Sequence, residues 1–328
     1  MDDVRSVMDT SQVEESPDGQ AADALPQHAP DELQRFVNAR KRPAVFFFIA
    51  DSLNIFHLLI LRRALIGHRF DELDIVINSG GGDSATAYQV IELLRLHTKT
   101  LNACVPFYAK SAATLMCLGA DTIVLDEVAQ LGPLDTQVRE SRKGDPPGQG
   151  SALNPFKSLE ELRKYSVEAL DLAVKVILRR SGMKMDDCIT HAIDFVRVTS
   201  GSLFSQVQAE RLGQYSRALA EGQDYGERLL DRYSDMDEEQ RATALERLVY
   251  GYPSHSYVVD HYELSNLGFN VEFFADDERE AVEGVIYPYC FQYSIDDELE
   301  PLIRLVEPST AAAASQKSLG QARRRGKA

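Results

Sequence analysis

The chain has 328 residues, enough for about two average domains, and its 35 Lys and Arg against 51 Asp and Glu give a formal net charge of −16. A charge this negative repels phosphate backbones, so nucleic-acid binding is not expected. With 44% hydrophobic and 26% charged residues, the composition is that of a globular protein rather than a disordered, collagenous or disulfide-stapled one.

The cysteine and histidine patterns bear on compartment and cofactors. Four scattered cysteines without a CxxC pair suit reduced thiols, and a cytoplasmic location is expected. No secretory h-region precedes residue 20, and the apolar runs are far shorter than the roughly 20 residues that cross a bilayer, so no membrane span is predicted. The histidines show no HExxH spacing, and neither a metal site nor a cofactor is predicted.

The first part of the chain divides at about residue 42. Residues 1–42 mix acids with Ser, Gln, Ala and Pro without a sustained period, which predicts an arm that is disordered or packs only on a partner. Over residues 43–145, apolar runs alternate with helical stretches. Strands are predicted at 44–49, 74–78, 101–107 and 121–125, and helices at 53–66, 85–97 and 111–118. This alternation predicts βαβ units around a parallel sheet.

The rest of the chain is predicted to be mostly helical. Residues 146–250 are expected to form a linker and a helical region, residues 251–306 a closing segment of the core, and residues 307–328 a disordered basic tail. Ser158 and Glu161 have the spacing of a capping box, which predicts a helix that leaves Lys157 just outside its cap.

The segment Asn78-Ser-Gly-Gly-Gly82 follows the second predicted strand and is called the glycine strip below. Consecutive glycines let backbone N–H groups approach a ligand with no Cβ in the way. A phosphate-binding loop also uses glycines, but no Gly-Lys-Ser/Thr follows and GxGxxG is absent, so nucleotide binding is not indicated. A tight strand-to-helix turn is the structural alternative.

Ser111 stands at the start of a short apolar helix and is flanked by small residues. A hydroxyl there lies beside free backbone N–H groups and the positive end of a helix dipole, both of which stabilise negative charge on oxygen. The alternative is an N-cap serine, the commonest role at a helix start. Lys110 is expected to point to another side of the backbone. The glycine strip and Ser111 follow strands that are topological neighbours in a parallel sheet.

Together these motifs resemble the Clp-protease/crotonase superfamily. The glycine strip resembles the Asn-Ser-Pro-Gly-Gly strip of the Clp proteolytic subunit, and Ser111 falls where that family has its nucleophile. The closer resemblance is to the serine dehydrogenase proteinase family, relatives of signal peptide peptidase A. It is carried by Tyr108-Ala-Lys-Ser-Ala-Ala-Thr-Leu115, by Leu131-Gly-Pro-Leu-Asp-Thr-Gln137 and, loosely, by Val259-Asp-His-Tyr-Glu263.

The resemblance implies both a fold and an activity. The fold is an α/β fold of repeated ββα and βαβ units, with a parallel sheet and a mostly helical C-terminal region. The activity is that of a serine endopeptidase acting on peptide or protein substrates, without a cofactor, as a homo-oligomer. Ser111 would attack the peptide carbonyl, and the N–H groups of Gly81 and Ala112 would hold the oxyanion, with Gly82 as the alternative to Gly81.

The general base is not assigned by the resemblance alone. The position of the Clp histidine falls near Pro133, so the Ser-His-Asp triad is not reproduced. Signal peptide peptidase relatives use a lysine some tens of residues after the serine, and Lys157, beside Phe156, fits that best. A lysine base must be desolvated for its pKa to fall into a useful range. His255 is the other candidate base, and Asp135 would then orient it.

Two further functions remain open from the sequence. One is a catalytically silent member that serves as an oligomeric scaffold or peptide-binding module. The other is a crotonase-like enzyme that holds an acyl-thioester enolate with the same oxyanion geometry. The serine at position 111 and the lack of a basic patch for CoA phosphates argue against the second.

Overall fold

A computed structural model describes residues 29–134, 137–140, 148–151, 154–296 and 298–309. The strands described are β1 (Ala44–Ile49), β2 (Phe70–Ser79), β3 (Thr98–Val105), β4 (Tyr108–Ala109), β5 (Thr122–Leu125), β6 (Gln130–Leu131), β7 (Gln137–Glu140), β8 (Gly148–Ser151), β9 (Val271–Phe273) and β10 (Leu302–Val306).

The helices described are α1 (Ala29–Arg40), α2 (Ile55–Ala64), α3 (Ser84–His97), α4 (Ala112–Leu118), α5 (Asn154–Ser181), α6 (Met185–Phe204), α7 (Ala209–Tyr233), α8 (Glu238–Tyr250), α9 (His261–Asn266), α10 (Asp276–Ala281) and α11 (Tyr287–Ile295). A π-helical segment, Val282–Ile286, joins α10 to α11.

Eight strands form one sheet, and its order explains how the site is assembled. The main path is β10-β1-β2-β3-β5-β9, and β4 pairs with both β2 and β6. The pairs in this sheet are parallel except β1 with β10. The predicted α/β fold, with a parallel sheet and a mostly helical C-terminal region, is therefore confirmed. Strands β7 and β8 form a separate antiparallel hairpin.

The sheet is buried on both faces, which explains why β1 is a continuous apolar run. Alternate residues of β1 enter two core clusters: Phe47 and Ile49 face the first, and Phe46 and Phe48 face the second. Buried side chains of α2, α3, α4, α7 and α8 complete the first cluster. Helices α1, α10 and α11 and the π-helical segment complete the second. The sheet is thus the central layer between two helical layers.

Helix α1 departs from the sequence-based expectation of an arm over residues 1–42. It buries Leu33, Phe36 and Val37 in the second core cluster. Phe36 and Val37 follow Leu33 by three and four residues, which places both next to Leu33 on one helical face. That face covers the sheet. The expectation is therefore not met over residues 29–40. Residues 1–28 and most of the predicted tail, residues 310–328, lie outside the described part of the chain.

A buried ionic cluster fastens α1 to the sheet. Arg40 Nε lies 2.8 Å from Asp74 Oδ2 on β2, and Arg40 Nη1 lies 2.9 Å from Glu278 Oε2 on α10. Asn102 on β3 donates a hydrogen bond to the other oxygen of Asp74 at 2.8 Å. Arg40 and Glu278 are less than 10% exposed and Asp74 is fully buried. Because each charge needs its partner in such surroundings, the cluster couples three elements.

Helices α5 and α6 form a long antiparallel hairpin that buries little of its surface. Helix α5 has 28 residues and none is fully buried. Ser166 of α5 donates a hydrogen bond to Ser200 of α6, at 3.0 Å between the hydroxyl oxygens. Large apolar side chains of the hairpin stay exposed, among them Leu172 at 62% and Val198 at 72%. Among the described helices, none is both long and apolar enough to cross a membrane.

Candidate active site

The glycine strip and Ser111 meet where β2 and β4 end. Ser79 of β2 pairs with Ala109 of β4, and the Lys110 N–H donates to the Ser79 carbonyl at 3.0 Å. A Cβ built on Gly81 would lie 2.9 Å from Ser111 Cβ and 3.0 Å from the amide nitrogen of Ala112. The structure therefore brings together the two motifs that the sequence analysis singled out.

Ser111 has a backbone conformation that serine rarely adopts. Its φ of 52° and ψ of −119° are those of the first central residue of a type II′ turn, where glycine is preferred. The hydroxyl makes no capping hydrogen bond with α4, so the N-cap alternative is not met. The residue is 6% exposed. A strained, non-glycine residue held by its surroundings is a feature that clusters at active sites.

Replacing Ser111 by glycine is expected to raise the free energy of unfolding by about 1 kcal/mol. Relief of the strained conformation should stabilise the folded variant by about 1–3 kcal/mol. The greater conformational freedom of glycine in the unfolded chain offsets part of this stabilisation. Ser111→Ala keeps the Cβ and the strain, so it serves as the control and should match the wild type. Urea denaturation measures the three stabilities, and equal values for the glycine and alanine variants would contradict the prediction.

The glycine strip is held in place by backbone and hydroxyl contacts. The Leu53 N–H donates to Gly81 O at 2.8 Å, and the Asp83 N–H donates to Leu53 O at 2.9 Å. The Gly81 N–H donates to Ser79 Oγ at 3.1 Å. Gly81 and Gly82 have φ values of +103° and +145°, which only glycine adopts without strain. These contacts fix the backbone conformation of the strip around Gly81 and Gly82.

Ala112 begins α4, so its N–H has no intrahelical acceptor. The helix start is fixed by Thr114, whose hydroxyl donates to Ala109 O at 2.7 Å and accepts from the Gly132 N–H at 3.1 Å. These contacts tie α4 to β4 and to the chain just after β6. The Ala112 nitrogen lies next to the glycine strip, because a Cβ built on Gly81 would be 3.0 Å from it.

Lys110 points away from the glycine strip, as the sequence analysis expects. Its Nζ donates to Gln130 Oε1 at 2.8 Å and to Leu131 O at 2.9 Å, both on β6. The side chain crosses Gly132, where an added Cβ would lie 2.7 Å from Lys110 Cδ. Burial lowers the pKa of Lys110 to about 8. Lys110 therefore links the end of β4 to β6 through a desolvated amino group.

This lowered pKa predicts that Lys110 contributes a rise in stability with pH. Between pH of about 8 and the ordinary lysine value of 10.5, folded Lys110 has lost its proton while the unfolded chain keeps it, so its contribution to the free energy of unfolding rises with pH. The buried thiols of Cys104, Cys117 and Cys290 contribute the opposite slope, because burial raises their pKa and only the unfolded chain loses those protons in this window. The slope of the free energy of unfolding against pH, measured by urea titration, should therefore be more positive for the wild type and for Lys99→Met, an exposed-lysine control, than for Lys110→Met. Equal slopes would contradict the assignment.

Lys157 lies inside the first turn of α5, not outside its cap as the sequence analysis expects. The helix begins at Asn154, before the predicted capping box at Ser158. Pro155 explains the earlier start, because its fixed φ and missing N–H suit the first helical turn. Lys157 is half-buried, and its Nζ donates a hydrogen bond to the carbonyl of Tyr252.

His255 lies in the same neighbourhood as the Lys157 contact. It is half-buried in the segment 251–259, and Val259 at the end of this segment exchanges two 3.0 Å hydrogen bonds with Leu131 of β6. The lateral order is therefore glycine strip, Ser111, β6 and then the segment with His255, against which Lys157 packs. Asp135 lies outside the described residues.

Two contributors to this geometry are not predicted from the sequence: the Ser79 hydroxyl and the Leu53 amide. A serine two residues before Gly81 was a usable signal, since serine hydroxyls often accept from a nearby backbone N–H. Nothing in the sequence pattern around Leu53 indicates its contact with Gly81. In the described part of the chain, no group of three or more His, Cys, Asp or Glu side chains could hold a metal ion.

Comparison with known proteins supports the resemblance over the first part of the chain. The model of a family described as ClpP-like SDH-type serine proteinases matches residues 45–145. Two uncharacterized proteins of Methanocaldococcus jannaschii are similar: MJ0137 is 38% identical over 79 residues, and MJ1495 is 27% identical over 118 residues. These segments are 24% and 36% of this chain, and 28% and 39% of those proteins, so the chain spans well under half of either relative.

Proposed function

Starting from the match of residues 45–145 to the ClpP-like SDH-type serine proteinases, we propose that this protein is a serine endopeptidase that cleaves peptide bonds through an acyl-enzyme on Ser111. The observation that carries the proposal is the strained Ser111 backbone, with Gly81 packed directly against the serine. Ser111 and the Ala112 nitrogen therefore lie directly beside the glycine strip, which brings the proposed nucleophile close to candidate N–H donors. That is the arrangement acyl transfer requires.

The proposed reaction has two halves. Ser111 Oγ attacks the peptide carbonyl while a base takes the hydroxyl proton, and the N–H groups of the glycine strip and Ala112 stabilise the oxyanion. The base returns the proton to the leaving amine, so the C–N bond breaks and an ester on Ser111 remains. Water, deprotonated by the same base, then attacks the ester. The ester C–O bond breaks, the base passes the proton from water to Ser111 Oγ, and the carboxylate product leaves.

We place the base at Lys157 in the first instance, with His255 as the alternative. Lys157 is half-buried, and its Nζ donates to the backbone carbonyl of Tyr252. His255 lies in the segment that flanks β6, three residues from the carbonyl that Lys157 contacts. Either base would have to approach Ser111 across β6 in the substrate complex. Catalytic hydrogen bonds often tighten only there.

The proposal includes assembly into a homo-oligomer, peptide or protein substrates and a cytoplasmic location. The exposed apolar side chains of the α5–α6 hairpin favour contacts between copies, because patches of this kind on soluble proteins mark interaction sites. The same observation supports the second candidate function, a catalytically silent scaffold or peptide-binding module. Substrates are expected to be peptides or proteins in the cytoplasm.

The test is hydrolysis of a mixed peptide library by the purified protein, read by mass spectrometry. Ser111→Ala should reduce cleavage by about 10³-fold or more, since the acyl-enzyme can no longer form. Lys157→Ala and His255→Ala are assayed in parallel, with Lys175→Ala as a control for loss of an exposed lysine on the same helix. Loss in only one of the two base variants assigns the base.

Two results would contradict the peptidase. One is that wild type and Ser111→Ala are equally inert while both assemble normally, which favours the scaffold. The other is that cleavage persists in Ser111→Ala, which points to a contaminating peptidase or to another nucleophile. Light scattering on the same samples separates loss of assembly from loss of chemistry.

A further inference from the structure

The glycine strip contains two peptide groups whose orientation is fixed from opposite ends. The Gly81 N–H belongs to the peptide before Gly81 and is occupied by the Ser79 hydroxyl at 3.1 Å, in buried surroundings. The Gly81 carbonyl belongs to the next peptide and accepts from the Leu53 N–H at 2.8 Å. Gly81 is therefore held on its amide side by Ser79 and on its carbonyl side by Leu53.

The orientation of the Gly82 N–H follows from the planarity of this second peptide. The peptide is trans, so its carbonyl and its N–H point in opposite directions. Because the Gly81 carbonyl points to Leu53, the Gly82 N–H points away from Leu53. Leu53 follows β1, and Ser79 pairs with Ile49 of β1 on one side and with Ala109 of β4 on the other. The Gly82 N–H is thus directed to the side of the strip on which Ser111 lies.

From this geometry we infer that Ser79 is a positioning residue of the proposed active site: its hydroxyl holds the Gly81 amide so that the Gly82 N–H, and not that of Gly81, joins the Ala112 N–H in receiving the oxyanion. The inference rests on the proposed function. A buried N–H keeps its acceptor because losing it costs free energy. Gly81 supplies the close approach to Ser111, and Gly82 supplies the donor.

The alternative assignment makes an opposite prediction for the same residue. If the Gly81 N–H were the donor, the Ser79 hydroxyl would compete with the oxyanion for it. Removing that hydroxyl would then leave turnover unchanged or raise it. If Ser79 positions the strip, removing it frees the Gly81 peptide to rotate, and the Gly82 N–H loses its fixed direction.

The experiment compares wild type, Ser79→Ala and Ser200→Ala. Ser200 is a matched control, because it is 3% exposed, accepts a hydrogen bond from Ser166 and lies on the α5–α6 hairpin. The substrate is a peptide found in the library assay, and the probe is a peptide boronic acid, which forms a tetrahedral anionic adduct with an active-site serine. Ser79→Ala should lower kcat and weaken boronate binding, each by about 10- to 100-fold, with KM unchanged.

Ser200→Ala should leave kcat and boronate affinity at wild-type values, which shows that loss of a buried serine hydroxyl does not by itself produce the effect. Circular dichroism confirms that each variant is folded, and Ser79→Thr, which retains the hydroxyl, should recover part of kcat if Ser79→Ala is unstable. An active wild type with unchanged or faster turnover in Ser79→Ala would overturn the inference alone. A wild type that neither cleaves peptides nor binds the boronate would overturn the proposed function with it.

Discussion

If the proposed function is right, Gly81→Ala should reduce peptide hydrolysis at least about 100-fold, because it displaces Ser111, the proposed nucleophile, from the proposed N–H donors. The new Cβ would lie 2.6 Å from the carbonyl oxygen of Lys110 and 2.9 Å from Ser111 Cβ. Both neighbours belong to the turn that carries the serine, so the contact is relieved only by moving that turn. The φ of +103° adds a backbone cost of about 1–3 kcal/mol, measurable by urea denaturation.

Gly80→Ala is the matched control for this variant. It adds the same methyl group one residue earlier, where a Cβ would have no neighbour within 4 Å. We expect its activity and stability to stay close to those of the wild type. A similar loss in both variants would mean that the strip tolerates no side chain anywhere, and the specific contact between Gly81 and Ser111 would not explain the result.

Arg40→Met is expected to lower the free energy of unfolding by about 3–5 kcal/mol. The substitution leaves the buried carboxylates of Asp74 and Glu278 without their cation, and breaking a buried ion pair costs an amount of this order. Helix α1 should detach first, because Arg40 is its link to β2 and α10. Urea denaturation measures the loss, and limited proteolysis should show earlier cleavage near residues 29–40.

Two further variants test whether unpaired charge is the cause. Arg42→Met removes a partly exposed partner of Glu72 and should cost only about 0–1 kcal/mol. Combining Arg40→Met with Asp74→Asn and Glu278→Gln leaves no buried charge unpaired, and this triple variant should be more stable than Arg40→Met alone. If it is less stable, packing of the arginine side chain rather than charge accounts for the effect.

The sequence predicts four of the eight strands of the sheet, β1, β2, β3 and β5, because they are buried and appear as continuous apolar runs. It does not predict β4, β6, β9 and β10, which have five residues or fewer. β1 is predicted over 44–49 and lies at Ala44–Ile49. Helix α1 is not predicted, because its apolar face is small and consists of Leu33, Phe36 and Val37. This face becomes recognisable as a core face only when it is seen packed in the second core cluster. The start of α5 was placed late because Ser158 and Glu161 have capping-box spacing, while Pro155 favours a start before them.

The candidate site also has features that the sequence predicts and features that it does not. The proximity of Ser111 to the glycine strip follows from strand adjacency, which the pattern of strands and helices predicts. The positions of the base candidates do not follow, because they depend on contacts between distant segments: Lys157 meets Tyr252, 95 residues away. The direction of the Gly82 N–H depends on the contact of the Gly81 carbonyl with Leu53, which only the three-dimensional structure reveals.

The backbone strain at Ser111 has a consequence for how this chain responds to selection. A directed-evolution experiment that rewards thermal tolerance alone should favour glycine at position 111, since glycine adopts this conformation at lower energy. Selection for both heat tolerance and peptide cleavage should keep the serine and collect its stabilising substitutions elsewhere. The identity of residue 111 after parallel selections would therefore report which property constrains this position.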